Sequence, residues 1–161
     1  MSRDLFVALA WGTLLAFVPH AIRGSFAPTV SAVLAFAWIS LYAFLRSVIV
    51  DLRDIEGDRI LGRETLVTIV GERRARSAMG LLIAFSGVGL VAVFAVGSFG
   101  LLPVQGLLWI MQAPVPVYMY LFIMRSRSRP VSRPALYSIL ADVQFFLMGL
   151  CAFAAQHLLV E

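Results

Sequence analysis

The chain has 161 residues, of which 61% are apolar and 14% charged, with a formal net charge of +4 and a mean hydropathy of +0.92. That apolar share exceeds the roughly 45–50% of soluble domains and excludes an ordinary water-soluble fold. All thirteen basic residues are arginine, and they fall between apolar runs rather than along one amphipathic face, which argues against nucleic-acid binding.

In chain order, five apolar runs stand out: residues 5–18, 26–50, 75–96, 101–124 and 136–160. Only helices and closed barrels satisfy every backbone group in lipid, and these runs lack the ten-residue alternation of a barrel, so each is predicted to be a membrane-spanning helix. The expected fold class is therefore all-α integral membrane, a single multi-pass domain of five transmembrane helices. The first run is short and ends at Pro19. A cleaved signal peptide has a similar outline, but the charged start is weak and no small-residue cleavage site follows.

Five crossings place the amino terminus, the 51–74 loop and the 125–134 loop on one side, together with twelve of the thirteen arginines; Arg23 alone lies opposite. By the positive-inside rule the central loop is predicted to be cytoplasmic and the carboxyl terminus external, in the cell (inner) membrane. Within the spans, Gly80, Gly87 and Gly89 read as close-packing positions. Pro114 and Pro116 are expected to kink the fourth span. The single Cys151 has no disulfide partner and reads as a small apolar residue.

Six of the nine acids lie between residues 51 and 72. Asp51, Asp54 and Asp58 are spaced i, i+3, i+7, so if the second helix continues past the membrane surface they project from one face and require a cation. Magnesium suits such carboxylates when a substrate phosphate completes its shell. Arg46, Arg53, Arg59 and Arg63 lie close by in sequence and could grip phosphate oxygens in forked fashion. Spacing alone leaves two alternatives open: a metal-diphosphate site, or a solvated loop whose charges pair among themselves.

Asp142 is the one acid inside a predicted span, and faces either a cavity or a helix-packing partner. Tyr42, one turn before Arg46, is a candidate for the pocket mouth. Phe145, Phe146 and Met148 could wall an apolar channel. His20 and His157 fall on the external side, remote from the acids, and no nucleophile-and-base grouping is found.

The string from Arg46 through Asp51-Leu52-Arg53-Asp54-Ile55-Glu56-Gly57-Asp58-Arg59, Gly62, Glu64-Thr65-Leu66 and Gly71-Glu72-Arg73-Arg74 resembles the second aspartate-rich motif of the UbiA superfamily of intramembrane prenyltransferases. Arg3-Asp4-Leu5 with Ala10-Trp11-Gly12 resembles the family's fifth span, and Leu140-Ala141-Asp142 to Leu147-Met148-Gly149 its last. The resemblance implies the last five helices of a nine-helix bundle. In such a bundle two aspartate-rich loops hold Mg²⁺ and the diphosphate of a prenyl donor, and the isoprenoid chain passes to an aromatic or other lipid-precursor acceptor.

Carried over, Asp51, Asp54 and Asp58 are the metal ligands and catalytic acids, while Arg46, Arg53, Arg59, Arg63, Tyr42 and Asp142 meet substrate. The motif's form is closer to the branch acting on quinone, tocopherol, chlorophyll or archaeal-lipid precursors. The first motif has no counterpart in these residues, since Asp4, Asp142 and Glu161 are isolated in sequence. That implies a second chain carrying the first half, a truncated form, or a chain without activity. The alternatives are a non-catalytic membrane subunit or scaffold that keeps a divalent-ion-binding loop and, further off, a small transporter using Asp142.

Overall fold

The computed structural model describes residues 3–22, 29–96, 109–128 and 134–160, and the secondary structure among them is helical. The helices are α1 (Arg3–Ala16), α2 (Val18–Ile22), α3 (Val30–Ile60), α4 (Leu66–Val70), α5 (Glu72–Val96), α6 (Pro114–Ser128) and α7 (Pro134–Val160). Three are long and apolar enough to cross a membrane: α3, α5 and, within α7, Ala135–Ala155. α1 and α6 have 14 and 15 residues, about 21–23 Å at 1.5 Å per residue, short of a hydrocarbon core of about 30 Å. The expected spans at 26–50, 75–96 and 136–160 thus coincide with long helices. The 5–18 and 101–124 spans are represented by shorter ones, and residues 101–108 lie outside those described. Large apolar side chains such as Phe6, Trp11, Leu81, Phe85, Phe146 and Phe153 face outward, as lipid-facing residues do.

The chain divides into two compact units, residues 1–75 and 76–161. In the first, α1 packs along α3 in antiparallel sense, its Asp4 meeting Ser47 and its Phe17 stacking on Phe36 at 5.2 Å. The buried positions of α1 are Asp4, Ala8, Gly12 and Ala16, a four-residue repeat of small side chains ending in an acid. Such a stripe lets two backbones approach closely. At Gly12 a Cβ would lie 2.0 Å from Ser40 Oγ and 3.0 Å from the Phe36 carbonyl oxygen, so the crossing accepts no side chain there.

α3 starts at Thr29, whose hydroxyl caps the helix by accepting from the Ala32 amide at 3.2 Å. Its apolar stretch runs to Val50, but the helix continues ten residues further to Ile60. This corrects the expectation of a loop at 51–74. Gly57 and the three aspartates are weak helix formers, but the buried stripe continues through Asp51, Leu52 and Asp58. The helix stops where Gly62 takes φ +65°, with the Gly62 amide donating to the Arg59 carbonyl (3.3 Å) and the Arg63 amide to that of Asp58 (2.9 Å). That bond pair is a Schellman ending. α4 follows, opened by a reciprocal Thr65–Thr68 capping box, with Val67 fully buried against α3.

In the second unit α6 and α7 pack together, Tyr118 donating to the Leu140 carbonyl (2.5 Å), and Phe122 tilts against Tyr137 with ring centroids 5.2 Å apart. Ahead of α6, the Gln112 side-chain amide donates to the Met148 carbonyl at 3.3 Å. Pro114 and Pro116 occupy the first turn of α6, where a missing N–H leaves nothing unsatisfied, and the turn 111–113 separates them from helical residues 109–110. Residues 109–113 reach them through i→i+3 bonds. An apolar groove of about 390 Å³ lies between α5 and residues 110–121, with Ile83, Gly87, Leu90, Ala113 and Val117 in its wall. Gly80, Gly87 and Gly89 meet no described atom within 4 Å of an added Cβ, so they are open positions rather than packing contacts. Cys151 is buried, a small apolar residue as expected.

Candidate metal-diphosphate site

Helix geometry decides which of the three aspartates act together. Seven residues fall about 20° short of two full turns, whereas three fall about 60° short of one. Asp51 and Asp58 therefore share the buried face of α3, each with 7% of its surface exposed, while Asp54 sits at its edge with a half-exposed side chain. Asp51 and Asp58 are two turns apart, about 10 Å along the axis. Among the described residues no three His, Cys, Asp or Glu side chains gather closely enough to enclose a metal.

The acid beside Asp51 is Asp4, which sequence reading left as isolated. It is 4% exposed and its Oδ1 accepts from the Ser47 hydroxyl at 2.7 Å. The signal for it was the Asp4-Ala8-Gly12-Ala16 repeat, which places the acid on the seam that α1 turns toward α3. Burial first, then the negative charges of Asp4 and Asp58, raise the Asp51 carboxyl from 3.8 to about 6, against an opposing pull from Arg3 and with a side-chain hydrogen bond to Asp4 adding to the rise. Asp51 Oδ2 is buried with no hydrogen-bond partner among the described residues. A carboxylate oxygen that is desolvated, surrounded by like charge and unpartnered suits a hard cation, so the residues present fit magnesium.

The arginines separate into two sets. Arg46 and Arg53, seven apart, share a face of α3 roughly 150° from that of Asp51. Arg53 pairs with Asp54 at 3.3 Å. Arg63, turned back by the Schellman ending, lies 3.9 Å from Asp58, and Arg59 is exposed beside it. Tyr42 is not at a pocket mouth: it is fully buried with its ring 4.8 Å from that of Trp38. Asp142 is half-buried on α7 in the other unit, and His157 is exposed with its ring against Phe153.

The site is thus an acidic end of a helix pair, continued by an arginine-bearing turn. The profile of the UbiA prenyltransferase family matches residues 2–155. The chain belongs to that family. A digeranylgeranylglyceryl phosphate synthase of Halobacterium salinarum is 32% identical over 97 residues, covering 60% of this chain and 34% of the relative. One of Thermococcus kodakarensis is 33% identical over 118 residues, covering 68% and 39%. This UbiA family member therefore spans between a third and two fifths of the length of those relatives. No solved structure matches it.

Proposed function

We propose that the chain supplies the second aspartate-rich half of an intramembrane prenyltransferase that moves an isoprenoid chain from a prenyl diphosphate to a lipid-precursor acceptor in a Mg²⁺-dependent reaction. The opposing carboxylates of the metal cage come from residues outside these 161, on the same polypeptide or on a second chain. The relatives' names favour an acceptor of the glyceryl phosphate type, whose hydroxyl oxygen bonds to the allylic carbon and releases its proton as the carbon–oxygen bond to diphosphate breaks and diphosphate leaves. The five-span, nine-helix arrangement, with the acidic end cytoplasmic, belongs to the same proposal.

The observation that carries this reading is Asp51, a buried carboxyl whose Oδ2 has no hydrogen-bond partner among the described residues, at the end of an apolar helix within a family-matched region. Asp51 would hold the metal, with Asp58 and the exposed Asp54 completing the acidic rim. Magnesium bound there would neutralise charge developing on the diphosphate leaving group. Arg63 and Arg59 lie where the diphosphate oxygens would meet forked donors, and Arg63 shields Asp58 until they arrive. Arg46 and Arg53, on the far face of α3, orient the helix end at the membrane surface. Tyr42 supports the backbone beneath the site through its packing with Trp38.

A second reading, a non-catalytic subunit that retains an ion-binding helix end, is favoured by the dispersal of the three aspartates of α3 over two turns. Prenyl transfer from a radiolabelled donor, in membranes holding the whole assembly, separates the two. Asp51→Asn is expected to lower Mg²⁺-dependent turnover at least a hundredfold with membrane insertion unchanged, as losing an electrostatic contact to a developing charge does. Undiminished transfer in that variant would leave the subunit reading in place.

A further inference from the structure

We infer that Asp4 of α1 is a ligand to the divalent cation together with Asp51, so that the ion is held across the α1–α3 seam and not by α3 alone. The inference rests on the magnesium reading above and adds to it a residue outside the aspartate-rich string. Asp4 is more deeply buried than any acid of that string, at 4% exposure against 7% for Asp51 and Asp58. It reaches Asp51 because α1 and α3 run antiparallel with a glycine at their closest crossing, which brings the start of one helix to the acidic end of the other.

Asp4 and Asp51 repel each other as carboxylates and are joined by a side-chain hydrogen bond when one of them holds a proton, so a cation bound between them takes the place of that proton. The Ser47 hydroxyl occupies Asp4 Oδ1 and fixes its orientation, while Asp51 keeps a buried oxygen with no described partner. Magnesium needs no more protein than this. It is commonly held by one or two carboxylates with phosphate and water filling the remaining positions. A pair across the seam therefore suffices where a trio on one helix is spread too widely. Ser47 acts through Asp4 as a positioning residue.

The test is Mn²⁺ binding to the purified whole assembly in detergent micelles, followed by electron paramagnetic resonance with and without inorganic pyrophosphate. Asp4→Asn keeps an acceptor for Ser47 and removes the charge; it is expected to weaken Mn²⁺ at least tenfold, and Asp51→Asn by at least as much. Ser47→Ala is expected to weaken it less than Asp4→Asn does, because it removes only the hydroxyl that orients Asp4. Wild-type affinity in Asp4→Asn with loss in Asp51→Asn would overturn the role of Asp4 and leave the α3 site standing. Wild-type affinity in both, or no Mn²⁺ binding by the wild-type assembly under either condition, would overturn the magnesium reading as well.

Should Asp4→Asn fail to fold, the wild-type protein decides the matter through dicyclohexylcarbodiimide, which modifies buried carboxyls. Mg²⁺ is expected to slow modification of Asp4 and Asp51 in parallel; protection of Asp51 alone would overturn the inference.

Discussion

The two units bury polar groups of different kinds. In residues 76–161 the described buried polar side chains are Ser86, Gln112 and Gln144, all neutral; in residues 1–75 they are Asp4, Ser40, Asp51 and Asp58. A neutral donor inside an apolar bundle can use backbone carbonyls, as Ser86 does with Ile83 at 2.7 Å and Gln112 with Met148. A carboxylate is acceptor-only when ionised, and the interior of a helix has no spare N–H to offer it. Buried acid therefore calls for a side-chain donor or a cation from outside. That is why the first unit reads as the chemical part of this chain and the second as an apolar wall.

The contrast breaks most readily at the α1–α3 crossing. Gly12→Leu must displace Ser40 and the Phe36 backbone, and it is expected to cost about 1–3 kcal/mol or more of helix-pair stability, the usual range for overpacking. Helicity during a sodium dodecyl sulfate titration of the purified chain measures it. Gly12→Ala is expected to cost less, and Ser40→Ala beside it to recover part, because the 2.0 Å conflict is with that hydroxyl whereas the Phe36 carbonyl cannot move aside. A Gly12→Leu chain as stable as the wild type would mean that the crossing is not held as described.

Much of this was legible in sequence, though unevenly. The three longest apolar helices follow from run length, since a stretch of about twenty apolar residues has few other solutions. Charge density in 51–74 suggests a surface loop, but its first ten residues are helix, the case that puts the aspartates on a helix: the period carried by Val48, Ile49, Leu52 and the two buried aspartates continues to Ile60. Pro114 and Pro116 suggest kinks within one span, and among the described residues a turn at 111–113 parts helical residues 109–110 from the helix that starts at Pro114. Local spacing makes Asp51 a candidate. It leaves out Asp4, because its partner lies 47 positions away and only the four-residue stripe of α1 reports the contact.

The acid-bearing unit should also be the pH-sensitive one. The folded chain holds a proton on Asp51 up to about pH 6, whereas the unfolded chain releases it near 3.8. Between those values the folded state binds more protons, so the contribution of this group to stability is fullest below pH 3.8 and is lost as pH rises through 6. Magnesium competes with that proton, and its stabilising effect should grow over the same interval. Thermal unfolding in micelles with a chelator is expected to show a midpoint that falls between pH 4.5 and 7, restored at the upper end by Mg²⁺. Asp51→Asn should flatten both trends, and an unchanged slope in that variant would assign the titration to another group.

The smallest effect is expected in the apolar unit and serves as the counterpart of Gly12. Gly87 lies in the wall of the groove, and an added Cβ there meets no described atom within 4 Å. Gly87→Ala removes a flexible residue from the interior of α5, a change worth roughly 0.5–1 kcal/mol in favour of a helix in water. Lipid already enforces helix formation, so a gain of at most that size is expected in the same detergent titration. The same methyl group is thus disruptive in α1 and harmless in α5, because one glycine sits under a neighbouring backbone and the other faces open space. A loss at Gly87 as large as that of Gly12→Ala would show that the groove is filled by packed surface, and the division between a tightly joined acidic pair and an open apolar wall would fail.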